Sequence, residues 1–219
     1  PLLITFLLRQ SGRSVVYLGA NVPAERLEES IRSLNPVLVV LCATLVHSAA
    51  SALDLLAVLR EEGVLGAFGG SVFSRFPNLI ERIPAHYLGD DLYTVVERVE
   101  SLILHRPVPP EPFHDQYLLE ARRDYADRLV EIEQFVWEAM ESTKQSYSSI
   151  ASLNRFLSEQ VLAALKLGQA GLPYADRTHF LEYLQAYGYG SADLEYYLDV
   201  YIHAVAHVLG SDSPVGRSF

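Results

Sequence analysis

Three short apolar runs, each closed by small, glycine or hydroxyl residues, limit what this chain can fold into. They are Val15-Val16-Tyr17-Leu18-Gly19-Ala20-Asn21-Val22-Pro23, Val37-Leu38-Val39-Val40-Leu41-Cys42-Ala43-Thr44-Leu45 and Val64-Leu65-Gly66-Ala67-Phe68-Gly69-Gly70-Ser71. A strand covered on both faces is apolar without alternation, as in parallel sheets. Such sheets open a ligand-binding crevice at the carboxyl ends of their strands.

Helical spacing separates the runs. Leu2 to Gln10 reads as an apolar helix closed by Ser11-Gly12, and Ser14 to Leu18 as a strand. Ala24 to Leu34 has Leu27 and Ile31 on one face, and Ser51 to Arg60 is helical until Gly63. Val37 to Cys42 and Val64 to Phe68 are strands, Leu79 to Ile83 a short helix, His86 to Leu88 a last strand and Leu92 to Leu104 a closing helix. Strands alternating with helices predict a doubly wound, flavodoxin-like parallel α/β sheet over residues 1–104. The alternation opens on a helix with no capping residue before it. We therefore expect the first strand of this domain to lie upstream of Pro1.

Residues 105–116 carry a proline-rich linker, Arg106-Pro107-Val108-Pro109-Pro110-Glu111-Pro112. Beyond it no strand pattern occurs. Tyr117 to Glu141, Ile150 to Leu167, Tyr174 to Tyr187 and Leu194 to Leu209 read as four helices of a bundle over residues 117–210, the last three stopped by Gly168, Gly188 and Gly210. Residues 211–219 read as a flexible tail.

Composition narrows the function classes. Half of the 219 residues are hydrophobic, so a sizeable core is available. The net charge is −10, neither half is basic, and only Lys144 and Lys166 are lysines. Direct nucleic-acid binding needs clustered cations and is not expected. Charges interrupt every apolar run short of the roughly 18 residues of a membrane span, so no membrane role is expected. One cysteine, Cys42, excludes an internal disulfide and any multi-cysteine metal site. A cytoplasmic setting is the simplest expectation. No Ser-His-Asp, Walker or zinc-hydrolase signature is present, so a binding or sensory role is expected rather than an enzyme.

With these motifs in place, the first half resembles the cobalamin-binding domain family. Tyr17 to Pro23 is similar to the family's second strand and following loop. Cys42-Ala43-Thr44 stands where the family often has a Ser-x-Thr-like turn, with cysteine in place of the usual serine. Gly69-Gly70 stands where it has a glycine pair. The closest likeness is to light-sensing transcriptional regulators that use adenosylcobalamin. In those the helical bundle precedes the cobalamin domain, whereas here it follows. The layout is similar to photocobilins, which pair a cobalamin domain with a bilin. The resemblance implies cofactor contacts from Leu18, Gly19, Asn21, Val22, Pro23, Cys42, Thr44, Leu45, Gly69, Gly70 and Ser71. It implies that the cobalt's lower histidine ligand belongs to a loop expected upstream of Pro1. The regulators' Trp and Glu-His pattern that caps the adenosyl group is not reproduced around Trp137. Biliverdin, if bound, would be held without a thioether, because Cys42 lies at a strand end.

Each of these residues also has a plainer reading. Gly69 and Gly70 suit a strand-to-helix turn, Thr44 a hydroxyl satisfying its own backbone, and Cys42 a small buried side chain. Trp137 suits either a cap over the corrin or a core. His203 and His207 share a helix face and suit partly exposed imidazoles, ligands of a metal, or contacts to a tetrapyrrole carboxylate or to cobalt from above; His179 is read in the same way. The tyrosines from Tyr174 to Tyr201 suit a chromophore wall, a core or the face of a homodimer. Glu131, Glu133 and Glu138 read as a solvated face.

The function expected is a sensory module. Cobalamin would lie between the α/β domain and the bundle, and photolysis of its cobalt–carbon bond would switch that interface. The alternatives are a corrinoid carrier for a methyltransferase or mutase, and a scaffold that has lost the ligand.

Overall fold

A computed structural model describes residues 2–141, 146–175, 177–186 and 190–216. The chain divides into two compact units, Pro1–Phe113 and His114–Phe219.

The first unit is built on a parallel sheet of three strands in the order β1-β2-β3: β1 (Leu38–Cys42), β2 (Leu65–Gly69) and β3 (His86–Tyr87). Leu38 lies opposite Leu65 and Cys42 opposite Gly69, while Ala67 lies opposite His86. Alternation along this register places Leu38, Val40, Cys42, Ala67 and Gly69 on one face and Val39, Leu41, Gly66 and Phe68 on the other. Helices cover both faces. On the first, Leu8 of α1 (Leu2–Gln10) and Val95 and Val99 of α5 (Leu92–His105) form one buried cluster with Ala67 and Leu88. On the second, α3 (Val46–Glu61) brings Leu56 and Leu59 against Gly66, and α2 (Ala24–Leu34) packs on α3. The short helix α4 (Ser71–Arg75) and a 3-10 turn over Pro77–Arg82 link β2 to β3. Phe73 of that link meets Phe68 and Tyr87 edge-on, while the Phe68 and Tyr87 rings are tilted against each other.

The expected strand over Ser14–Leu18 does not form. Residues 13–19 take no regular structure, and Val16, Tyr17 and Leu18 are exposed. A strand needs a ladder, and the backbone of this segment makes no hydrogen bond to the sheet among the described residues. Arg9 of α1 holds it instead, donating twice to the Val15 carbonyl at 3.1 and 2.7 Å. The proline-rich segment lies along the first unit. Arg60 donates to the Pro110 carbonyl and pairs with Glu111, and Arg82 stacks over Phe113 at 3.7 Å.

The second unit is helical: α6 (Gln116–Asp127), α7 (Leu129–Met140), α8 (Tyr147–Lys166), α9 (Leu172–Ala175), α10 (Arg177–Ala186) and α11 (Ser191–Leu209). The single long helix expected over Tyr117–Glu141 is two, broken at Arg128, whose ψ of 8° leaves the helical range. The break lets α6 pack on α8 while α7 packs on α11. The third expected helix corresponds to α9 and α10, so a simple four-helix bundle is corrected to a larger set. Ile132, Val136 and Met140 recur every fourth residue on α7 and meet Ile150, Leu153, Leu157 and Val161 of α8 in one core. The expected tail folds back in part, since Val215 is buried in that core and the Gly216 amide donates to Ser213 Oγ.

Polar side chains sit inside this core as matched pairs. The Tyr125 and Tyr201 hydroxyls bond to each other, and the Tyr197 hydroxyl donates to Asn154 Oδ1 at 2.9 Å. Burial pushes both Tyr125 and Tyr201 well above the usual phenol range. Removing the Tyr201 hydroxyl takes away the partner of the buried Tyr125 hydroxyl. Tyr201→Phe is expected to cost about 1–3 kcal/mol, and adding Tyr125→Phe to recover part of that loss. Urea unfolding of the two single variants and the double variant checks it.

Candidate functional site

The candidate site is the carboxyl edge of the sheet in the first unit, where β1, β2 and β3 all end. The Ala43 amide donates to the Gly69 carbonyl at 2.9 Å, which carries the ladder one residue beyond β1. Two adjacent glycines then do opposite things. Gly70 has a φ of +122°, and a Cβ there would lie 2.0 Å from the Ala43 carbonyl oxygen. Only glycine permits that approach. Gly69 is buried, yet nothing lies within 4 Å of where its Cβ would be. A buried glycine with open space beside it marks a slot. By register the slot opens on the face of Cys42 and of the cluster of Leu8, Leu88, Val95 and Val99. Its neighbourhood is therefore apolar. Cys42 is half-buried, and burial pushes its thiol up, which suits a neutral lining residue rather than a reactive thiolate.

A polar rim stands at the same end. The Asp90 carboxylate accepts from the hydroxyls of Ser74 and Tyr87. Those bonds, with that from Ser74 foremost, hold the Asp90 carboxyl below its usual range. Burial, and then the Asp90 carboxylate, raises the Tyr87 phenol to about 12. Arg98 of α5 lies across Gly89, where a Cβ would come within 2.5 Å of its Nη1. Arg75 Nη2 reaches the Thr44 carbonyl at 3.5 Å. The loops after β1, β2 and β3 are thus joined to one another by side chains.

The sequence-derived candidates divide on this geometry. Cys42, Thr44, Gly69, Gly70 and Ser71 come together at the strand ends. Thr44 and Ser71 are exposed, so the Thr44 hydroxyl is not the buried, self-satisfied group of the plainer reading. Leu45 is half-buried and starts α3, where its carbonyl accepts from the Ala49 amide at 3.1 Å. Leu18, Gly19, Asn21, Val22 and Pro23 belong to the connection between residue 13 and α2. Gly19 and Asn21 adopt positive φ there, and Pro23 caps α2.

In the helical unit Trp137 is half-buried against the core. His203 and His207 are exposed, with their rings 5.7 and 5.0 Å from that of Phe135. Glu131 and Glu138 are exposed. Glu133 is half-buried, and burial raises its carboxyl, so it is not part of a freely solvated face. Tyr197 and Tyr201 are core and Tyr196 is exposed. The side chains of Tyr174, His179 and Tyr183, together with Tyr187 and Tyr189, lie outside the described residues. No group of three metal-ligating side chains occurs among the described residues. Among the described residues no helix is long and apolar enough to cross a membrane.

Sequence reasoning missed Ser74, Arg75, Tyr87, Asp90 and Arg98. Only Gly89-Asp90-Asp91 after the last strand signalled them; their meeting depends on how α4 and α5 pack.

Two tests follow from the glycines and the rim. Gly70→Ala is expected to destabilise by more than about 3 kcal/mol, because neither its φ nor the Ala43 carbonyl can yield. Gly69→Ala should stay within about 1 kcal/mol of the parent. Chemical unfolding curves separate the two. The raised Tyr87 phenol gives stability that is full below its ordinary value near 10 and is lost as pH rises through about 12. Ultraviolet titration of the 13 tyrosines should therefore show a component near pH 12, earlier than that of the further-raised Tyr125 and Tyr201, that Tyr87→Phe removes.

No family model and no curated protein matches this chain.

Proposed function

We propose that the first unit binds a cobalamin and that the chain is a light-sensing, cytoplasmic module using adenosylcobalamin. The slot beside buried Gly69, at the carboxyl ends of parallel strands, carries the reading. A long, thin ligand tail needs space without side chains, and the open space beside Gly69, level with Cys42, supports that reading. Cys42 and Gly69 would line the tail. The Thr44 and Ser71 hydroxyls, exposed at the mouth, would meet its polar groups. When bound, adenosylcobalamin supplies a cobalt–carbon bond that light cleaves. The chain's own part is to seat the cofactor and to register its change through the loops that Arg75, Ser74 and Asp90 join. A bilin such as biliverdin, held without a covalent link, would extend the absorbed wavelengths. Exposed His203 and His207 beside Phe135 offer hydrogen-bonding and stacking contacts to its carboxylates and rings. The second reading, a corrinoid carrier for methyl transfer, uses the same slot.

Absorption spectra with adenosylcobalamin and with biliverdin, taken after gel filtration and before and after illumination, test the proposal. We expect a retained corrin whose spectrum changes in light more than that of the free cofactor. Gly69→Val should lower retention at least about tenfold, with circular dichroism unchanged. A retained corrin that is light-indifferent but passes methyl groups to an acceptor would establish the carrier. Failure to retain any chromophore would leave a scaffold.

A further inference from the structure

The segment Arg106-Pro107-Val108-Pro109-Pro110-Glu111-Pro112 does more than join two units. Each of its prolines holds φ near −65° and pushes the residue before it towards extended backbone. Val108, Pro109 and Glu111 each precede a proline, so residues 107–112 favour the polyproline II helix of three residues per turn. The peptide bonds are trans, and the segment takes no regular hydrogen-bonded structure.

Its contacts repeat with that period of three. His86 Nε2 donates to the Pro107 carbonyl at 3.3 Å, and Arg60 Nη2 to the Pro110 carbonyl at 3.0 Å. These carbonyls are one turn apart, so the same side of the helix meets the first unit. Pro109 is half-buried, whereas Pro107, Val108, Pro110 and Glu111 are exposed, Val108 by 86%. One edge is therefore turned in, and the Pro107/Pro110 and Val108/Glu111 edges are turned out. Beyond them Arg60 pairs with Glu111, and Arg82 lies over the Phe113 ring. At the other end Arg106 caps α5. Its side chain is exposed and makes no ion pair or hydrogen bond among the described residues.

We propose that this strap is the docking ligand for one kind of partner, a module of the SH3 type with a groove lined by aromatic side chains and flanked by a carboxylate. Two exposed prolines one turn apart fit between aromatic rings, and Val108 adds an apolar edge beside them. Arg106 supplies the cation for the carboxylate and fixes the direction in which the strap lies. His86, Arg60 and Arg82 already hold the strap in place, so docking costs little further ordering. This inference does not depend on the cofactor.

The test titrates the intact chain into an isotope-labelled SH3 domain selective for peptides in which arginine precedes Pro-x-x-Pro. Resonances of the aromatic groove should shift, with a Kd of roughly 10–100 μM. A synthetic peptide of residues 106–113 should bind no more tightly than the chain, because it has to be ordered on binding. Arg106→Glu, Val108→Asp and the pair Pro107→Ala with Pro110→Ala should each raise the Kd at least about fivefold, with circular dichroism unchanged. Leu104→Ser, at a residue 77% exposed on α5 just before the strap, should leave the Kd within about twofold. Three outcomes overturn the proposal. A groove unshifted by about 1 mM chain, even where the peptide binds, means that the first unit masks the strap. An equal loss with Leu104→Ser means general apolar adhesion. Binding that survives Arg106→Glu and Val108→Asp removes the strap as the ligand.

Discussion

The contact on which the first unit turns is the approach of Gly70 to the Ala43 carbonyl. It brings the ends of β1 and β2 together after their last ladder bond, so the two following helices start from one point. Every loop at the candidate site inherits its position from that contact. Thr44 leaves one side of it, Ser71 the other, and Arg75 returns from α4 to the Thr44 carbonyl. Because the closeness is between backbone atoms, no side chain adjusts to relieve a substitution there, whereas Gly69 one residue earlier faces empty space. Close approach and open slot thus come from neighbouring residues of the same type, and neither could be assigned from the pair Gly-Gly alone.

Periodicity made much of the fold legible. The run Val37 to Cys42 has the unbroken apolar character of a strand under two helical layers, and it pairs in parallel with the next such run. Leu27 and Ile31 face inward on α2 as their spacing implies. Ser14 to Leu18 reads equally well as a strand, yet a strand is a pairing and not a composition. Its backbone makes no hydrogen bond to the sheet among the described residues, and Arg9 takes its carbonyl instead. Likewise the apolar spacing continues smoothly across Arg128, so nothing in the pattern announces the break between α6 and α7. That break is set by the two different helices against which the halves pack.

The site was legible where one residue decides its own geometry and illegible where several meet. Glycines at a strand end declare themselves. The rim does not. Ser74, Tyr87, Asp90 and Arg98 come from four positions whose meeting depends on the turn after β2 and on the start of α5, where the Asp91 side chain accepts the Tyr93 amide at 2.9 Å. Tyrosine density was a similar trap. Seven tyrosines follow Leu172, but Tyr197 and Tyr201 serve the core, their hydroxyls bonded to Asn154 and Tyr125, and only packing separates such a role from a chromophore wall.

Cys42 and Trp137 have a shared consequence. Each is the one residue of its type, each is half-buried, and they belong to different units. The molecule therefore carries two native reporters that do not overlap. Reaction of the thiol with a small disulfide reagent follows opening of the sheet, and indole fluorescence follows loosening of the helical core. The two units can be unfolded by one denaturant series and read separately in a single unmutated sample. Whether they melt as one cooperative body or as two is then decided by whether the two curves coincide.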